Sequence, residues 1–126
     1  MFTLSRRNSQ SKSDSERVNI WTLNRDVAIK ALLLKLEGSL GQGSFEIDTE
    51  TRVSFQSIFI SHPTLSKVRA YLYTYGQAEG CYGVHLEYPT ETENTHLYDI
   101  YDNVRFARLV DMLAAHLSWS PEPDNQ

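Results

Sequence analysis

Apolar residues recur every three or four positions along 27–40 and again along 106–117, and every second position along 68–88. In the first stretch Ile29, Leu32, Leu33, Leu36 and Leu40 form one stripe, widened by Ala28 and Ala31. That spacing predicts an amphipathic helix. Asn24 is placed to cap it, Leu23 and Ala28 to form a hydrophobic staple, and Gly38 and Gly41 to stop it. The preceding 18–22 reads equally as a short strand or an extended lead-in.

Two-residue alternation takes over after the glycine-rich connector 41–44. Residues 45–48 begin an extended region, a turn at 48–52 interrupts it, and 53–60 continue it. There Val53, Phe55 and Phe59 point one way and Ile58 and Ile60 the other, so this strand is expected to be covered on both sides. Val68, Ala70, Leu72 and Thr74 then share one face, while Arg69, Tyr71, Tyr73 and Tyr75 share the opposite one. A turn at 76–80 returns the chain along Tyr82, Val84, Leu86 and Tyr88, which alternate with Cys81, Gly83, His85 and Glu87. The implied register pairs Tyr75 with Cys81, Tyr73 with Gly83, Tyr71 with His85 and Arg69 with Glu87. It sets opposite charges across from each other and lays a tyrosine over a glycine. Residues 96–101 suggest a further strand. Asp102 or Asn103 is expected to cap a last helix with Phe106, Leu109, Val110, Leu113 and Leu117 on its stripe. The fold class is therefore α+β: an antiparallel sheet of three to five strands with an N-terminal and a C-terminal helix on one face.

The ends differ from this body. Residues 1–17 are rich in Ser and Arg and poor in bulky apolar groups, which predicts a disordered tail, and 120–126 are polar and broken by Pro121 and Pro123. One domain over 18–119 fits the 126-residue length. The tail contains no secretory apolar run, and its Arg6-Arg7-Asn8-Ser9 makes Ser9 a candidate phosphorylation site. No run of 18 apolar residues exists, so no membrane helix is expected.

Charge then narrows the chemistry. Twelve Lys and Arg face sixteen Asp and Glu, for a net charge of −4. The tail holds Arg6, Arg7, Lys12 and Arg17 against only Asp14 and Glu16, so the excess acid lies in the body. A nucleic-acid partner for the folded part is disfavoured. The lone Cys81 excludes a disulfide framework, and Cys81 and His85 stand about 13 Å apart along a strand, too far for one zinc or a nucleophile dyad. The four histidines show no ligand spacing, and the glycine-rich 38–43 follows a helix where a phosphate loop must precede one. No metal, no cofactor and no catalytic residue is expected; a cavity joining His85 with Asp99 or Tyr101 would be needed to revive an enzyme.

What stands out is the tyrosine row. Tyr71, Tyr73 and Tyr75, with Lys67, Arg69 and His85, compose a candidate partner-binding surface. Helix–three strands–helix is also the order of the double-stranded RNA-binding domain. The start of the second helix, Asp102-Asn103-Val104-Arg105-Phe106-Ala107-Arg108, lacks the lysine cluster of that domain, and no family is assigned. Small acidic α+β chaperones of secretion substrates are similar in size and charge, without a shared motif. The expectation is a cytoplasmic, non-enzymatic adaptor, regulator or assembly chaperone that binds another protein or itself as a homodimer. An RNA-binding domain using the tyrosines and basic tail is the alternative, and a small enzyme comes third.

Overall fold

The computed structural model describes residues 18–89 and 97–120. Ser9 and both tails beyond those limits, the acidic loop 90–95 and His96 lie outside the described residues. Helix α1 (Val27–Leu40) is followed by β1 (Glu46–Asp48), β2 (Ser57–Ser61), β3 (Arg69–Tyr73), β4 (Cys81–Tyr88) and β5 (Leu97–Arg105), and α2 (Phe106–His116) closes the domain. The strands form one five-stranded antiparallel meander in sequence order. The α+β class and the two flanking helices are as the pattern predicts.

The core is built from the predicted stripes. Ile29, Leu32, Leu33 and Leu36 of α1 and Leu109 and Leu113 of α2 join Ile58, Ile60, Ala70, Leu72, Val84, Leu86 and Val104 in one buried cluster. All the strand residues in that cluster point to the same side, so both helices cover a single face. Burial of these side chains, roughly 1.5–3 kcal/mol for each Val, Leu or Ile, drives the two layers together.

Local details depart from expectation for identifiable reasons. Asp26, not Asn24, caps α1: its carboxylate accepts the Ile29 N–H at 3.1 Å. The chain ahead of it is committed elsewhere, since Asp26 N–H bonds the Phe55 carbonyl and Arg25 Nε bonds the Ser57 carbonyl at 2.7 Å. The Leu23–Ala28 staple thus loses its position. Residues 18–22 are neither strand nor extended lead-in throughout; Ile20–Thr22 make a 3₁₀ turn capped by Asn19. Gly38 sits inside α1, and Gly41 with φ 101° ends it.

Strand β2 starts at Ser57, so Val53 and Phe55 are outside the sheet and Phe55 is exposed. The expected covering of both faces of this strand is not found: Phe59 lies on the face away from the helices. β5 runs straight through Asp102 and Asn103 to Arg105, and neither residue caps α2, which begins without a side-chain cap. An irregularity between the Tyr82 and Val84 pairings, with Asn103 at φ 54°, lets the strand bend there. The hairpin register holds at Arg69–Glu87, Ala70–Leu86, Tyr71–His85, Leu72–Val84 and Tyr73–Gly83. Tyr75 and Cys81 do not pair: β3 ends at Tyr73, and Cys81 is opposite Arg105.

Candidate aromatic interface

With both helices on one side, the opposite face of the sheet carries Phe59 from β2, Arg69, Tyr71 and Tyr73 from β3, and Gly83, His85 and Glu87 from β4. Ile100 of β5 joins them opposite His85. No helix or strand among the described residues packs over this face. The rings form a continuous row: Phe59 to Tyr71 at 4.9 Å between centroids, Tyr71 to Tyr73 at 5.4 Å, and Tyr73 stacked on Tyr75 at 4.8 Å. His85 lies against both Tyr71 (5.4 Å) and Tyr73 (5.3 Å).

Alternation brings these rings to one side, and hydrogen bonds fix their tilt. The Tyr73 ring crosses Gly83, where any side chain would collide with it, and its hydroxyl donates to Asp102 at 2.9 Å. Tyr71 and Tyr75 share a hydroxyl bond of 3.0 Å. Gln77 and Asn103 clamp the β3–β4 turn onto β5 through the Ala78 N–H, which donates to the Asn103 side chain at 2.7 Å. Burial and the neighbouring Asp102 carboxylate push the Tyr73 phenol far above its ordinary range. The bond to Tyr71, with some burial, raises Tyr75 to about 12. Tyr73 and Tyr75 therefore stay protonated at physiological pH.

Exposure divides the row. Tyr73 is buried by its neighbours at 6% exposure, while Tyr75 at 42% and Ile100 at 51% are open. Tyr71, His85, Arg69 and Phe59 are half-buried. The predicted residues Arg69, Tyr71, Tyr73, Tyr75 and His85 are thus brought together, with Tyr73 as internal support. Lys67 stays apart, exposed in the turn before β3. Arg69 does not offer a free cation: its Nε meets Glu87 at 2.7 Å, Asp48 lies 4.0 Å away, and its guanidinium stacks on Phe59 at 3.9 Å. Burial pushes the Asp48 carboxyl up, but bonds from Thr51 and Glu50 and the Arg69 charge outweigh it and hold it below the usual range. Phe59, Ile100 and Asp102 belong to this surface and were not singled out by sequence. Phe59 was detectable, because it alternates with the buried Ile58 and Ile60.

The remaining chemistry-bearing residues are scattered. His62 uses its Nδ1 to accept the Thr64 and Leu65 N–H groups of a turn. Asp99 and Tyr101 share a cavity with His116 rather than with His85, which occupies the other face. No group of three His, Cys, Asp or Glu among the described residues is placed to hold a metal. No described helix is long and apolar enough to cross a membrane.

His116 is 3% exposed and reaches the Arg69 carbonyl with Nε2 at 2.9 Å. Burial lowers its pKa against the opposing pull of the Arg69 and Glu87 carbonyls and of the Asp99 and Glu87 charges. The unfolded chain then binds a proton more readily than the fold. The His116 contribution is complete above about pH 6.5 and shrinks as pH falls through that value. Thermal melts from pH 7.5 to 5.5 are expected to show a steeper loss for the wild type than for His116→Gln; parallel losses would sink this assignment.

The chain matches no protein-family model, no curated protein and no solved structure.

Proposed function

We propose that the protein is a non-enzymatic protein-interaction module, an adaptor, regulator or assembly chaperone, whose protein partner docks on the open aromatic face of the sheet. One observation carries the reading: a five-stranded sheet with helices on one side only and a contiguous Phe–Tyr–Tyr–Tyr row on the other. Tyrosine suits such a role because it presents a large, rigid apolar surface with a polar tip at little entropic cost. Tyr75 and Ile100 supply the contact area, and Tyr73 with Asp102 holds the row in shape. The setting we propose is the reducing cytoplasm, where a lone thiol such as Cys81 persists.

The charge on this face supports a protein partner over RNA. Of the two arginines that the described strands place on it, Arg69 is engaged by Glu87 and Asp48 and Arg105 lies at its end opposite Cys81, while Asp102 adds a further carboxylate. Phosphates would meet net negative charge.

The test uses tagged full-length protein to recover a complex from native lysate. Tyr75→Ala combined with Ile100→Ala is expected to reduce recovery at least tenfold, a loss of about 1.4 kcal/mol in affinity. Both side chains are about half exposed and outside the buried core, so the melting temperature is expected to fall by a few degrees only, leaving the variant folded under the conditions of the recovery. Undiminished recovery would reject this face as the interface. Salt-sensitive retention of RNA in a gel shift, abolished by the same variant, would transfer the face to the nucleic-acid reading.

A further inference from the structure

The sheet has two outer edges, and they differ. β1 presents three residues, whereas β5 presents nine, and among the described residues no strand pairs with the outer side of β5. Such an unpaired row of N–H and C=O groups is a template for another extended segment. We propose that this edge takes residues 2–7 of the same chain, Phe2-Thr3-Leu4-Ser5-Arg6-Arg7, as a sixth strand. Its occupation does not depend on a partner protein docking on the aromatic face.

Proteins blunt long edges with proline, lysine or a bulge. The bulge, with Asn103 at φ 54°, does so only at the far end of β5. Ahead of it, Leu97-Tyr98-Asp99-Ile100-Tyr101 contains no proline or lysine and runs in unbroken register along Tyr88–Val84. Its Ile100 and Tyr101, both good strand formers, stay 51% and 37% exposed.

The charges select the occupant. Asp99 and Asp102 are exposed and lie on opposite faces of the sheet: Asp99 is level with the core residue Leu86, and Asp102 accepts the Tyr73 hydroxyl on the aromatic side. Arg6 and Arg7 are consecutive, so in a strand they too point to opposite faces. Each arginine then has a carboxylate on its own face, and long side chains reach both opposite and diagonal neighbours across a strand pair. Phe2 and Leu4 alternate with Thr3 and Ser5, the period-2 pattern of a half-covered strand. Arg105, the only cation of β5, lies beyond the bulge.

The tether is long enough. The chain approaches α1 with Arg25 bonded to the Ser57 carbonyl. Ser57, Tyr73 and Gly83 lie level across the sheet, in line with the bulge of β5. Residues 8–17 form a ten-residue link ahead of Val18, about 33 Å long when extended, against a radius of gyration of about 13 Å for a domain of about 100 residues. Attachment to the same molecule holds the segment at an effective concentration of roughly millimolar order. A stretch too poor in bulky groups to fold alone needs here only to add one strand to an existing sheet.

The experiment is amide hydrogen exchange by NMR on the full chain at neutral pH and low salt. The β5 amides that point away from β4 are expected to exchange about tenfold more slowly in the wild type than in Leu4→Pro/Ser5→Pro. Two consecutive prolines remove an N–H aimed at β5 whichever way the segment faces. Arg6→Glu/Arg7→Glu should remove most of that protection, as should about 1 M sodium chloride, which shortens the Debye length to about 3 Å. The amides bonded to β4 should be unchanged in every sample, showing an intact fold, and sedimentation should give a monomer. Equal exchange of the outward amides in the wild type and the proline variant would overturn the proposal. So would protection that survives both charge tests, or a dimer whose β5 protection is lost on dilution, which would assign the edge to a second copy.

Discussion

Gly83→Ala is expected to lower stability by about 2–4 kcal/mol, read from urea unfolding. Tyr73 lies across Gly83, and a Cβ there would fall well inside van der Waals contact with three carbons of its ring. The ring has no easy retreat. It is stacked on Tyr75, flanked by Tyr71 and His85, and tied to Asp102 through its hydroxyl. Overpacking of this kind costs typically 1–3 kcal/mol, and loss of the hydroxyl bond adds about 1. Gly83 does not occupy the left-handed region, so its backbone accepts alanine and the whole effect is steric. A double-mutant cycle separates the two causes: with Tyr73→Ala already in place, Gly83→Ala should cost little more. A cost below about 0.5 kcal/mol for the single change would show that the ring moves freely, and that the row is not fixed as described.

This contact was legible in the sequence because three independent pairings agreed on one register. Arg69 met Glu87, Tyr73 met Gly83, and Leu72 met Val84 only if the turn spanned 76–80, and all three pairings are present. Period-2 alternation and cross-strand chemistry are local signals, and they carry far along a hairpin. The same residues show where such signals stop. Asp102 and Asn103 have the chemistry of helix caps and sit just ahead of an apolar stripe, yet both are spent on distant partners, Tyr73 and Ala78. Nothing local distinguishes a cap from a long-range bond. Asn24 lost its cap to Asp26 for a related reason, since the backbone at Asp26 is anchored to β2. Those tertiary bonds place Asp102 on the candidate site.

Tyr73 also alters how the surface must be tested. Three equivalent rings on a strand would make Tyr73→Ala, paired with Tyr71→Ala, a natural probe of the surface. With Tyr73 buried and hydrogen-bonded, that variant removes structural support along with contact area. The exposed Tyr75 and Ile100 report on binding, and Tyr73 reports on stability. A tyrosine row on an uncovered sheet thus combines a rigid base and an accessible rim, which is how preorganised interfaces limit the entropy lost on docking.

Leu113→Ala is expected to cost about 3–4 kcal/mol, within the range for large-to-small changes in a tight core, and to lower the melting temperature by about 10–15 °C. Leu113 is fully buried where α2 joins the cluster shared with α1 and the sheet, and no described polar group is left unpaired by its loss. The cost would come from the cavity alone, on the face opposite the aromatic row. Leu113→Ala and Gly83→Ala therefore form a matched pair: similar losses of stability, one beneath the helices and one beneath the tyrosines. At a temperature where both variants remain folded, Leu113→Ala should recover the partner as well as the wild type does. Gly83→Ala should not, because Tyr73 and its stacked neighbour Tyr75 are displaced together. Near-ultraviolet circular dichroism should change for Gly83→Ala and stay close to wild type for Leu113→Ala. Equal loss of the complex in both variants would mean that recovery follows global stability, and the aromatic face would lose its claim to the interface.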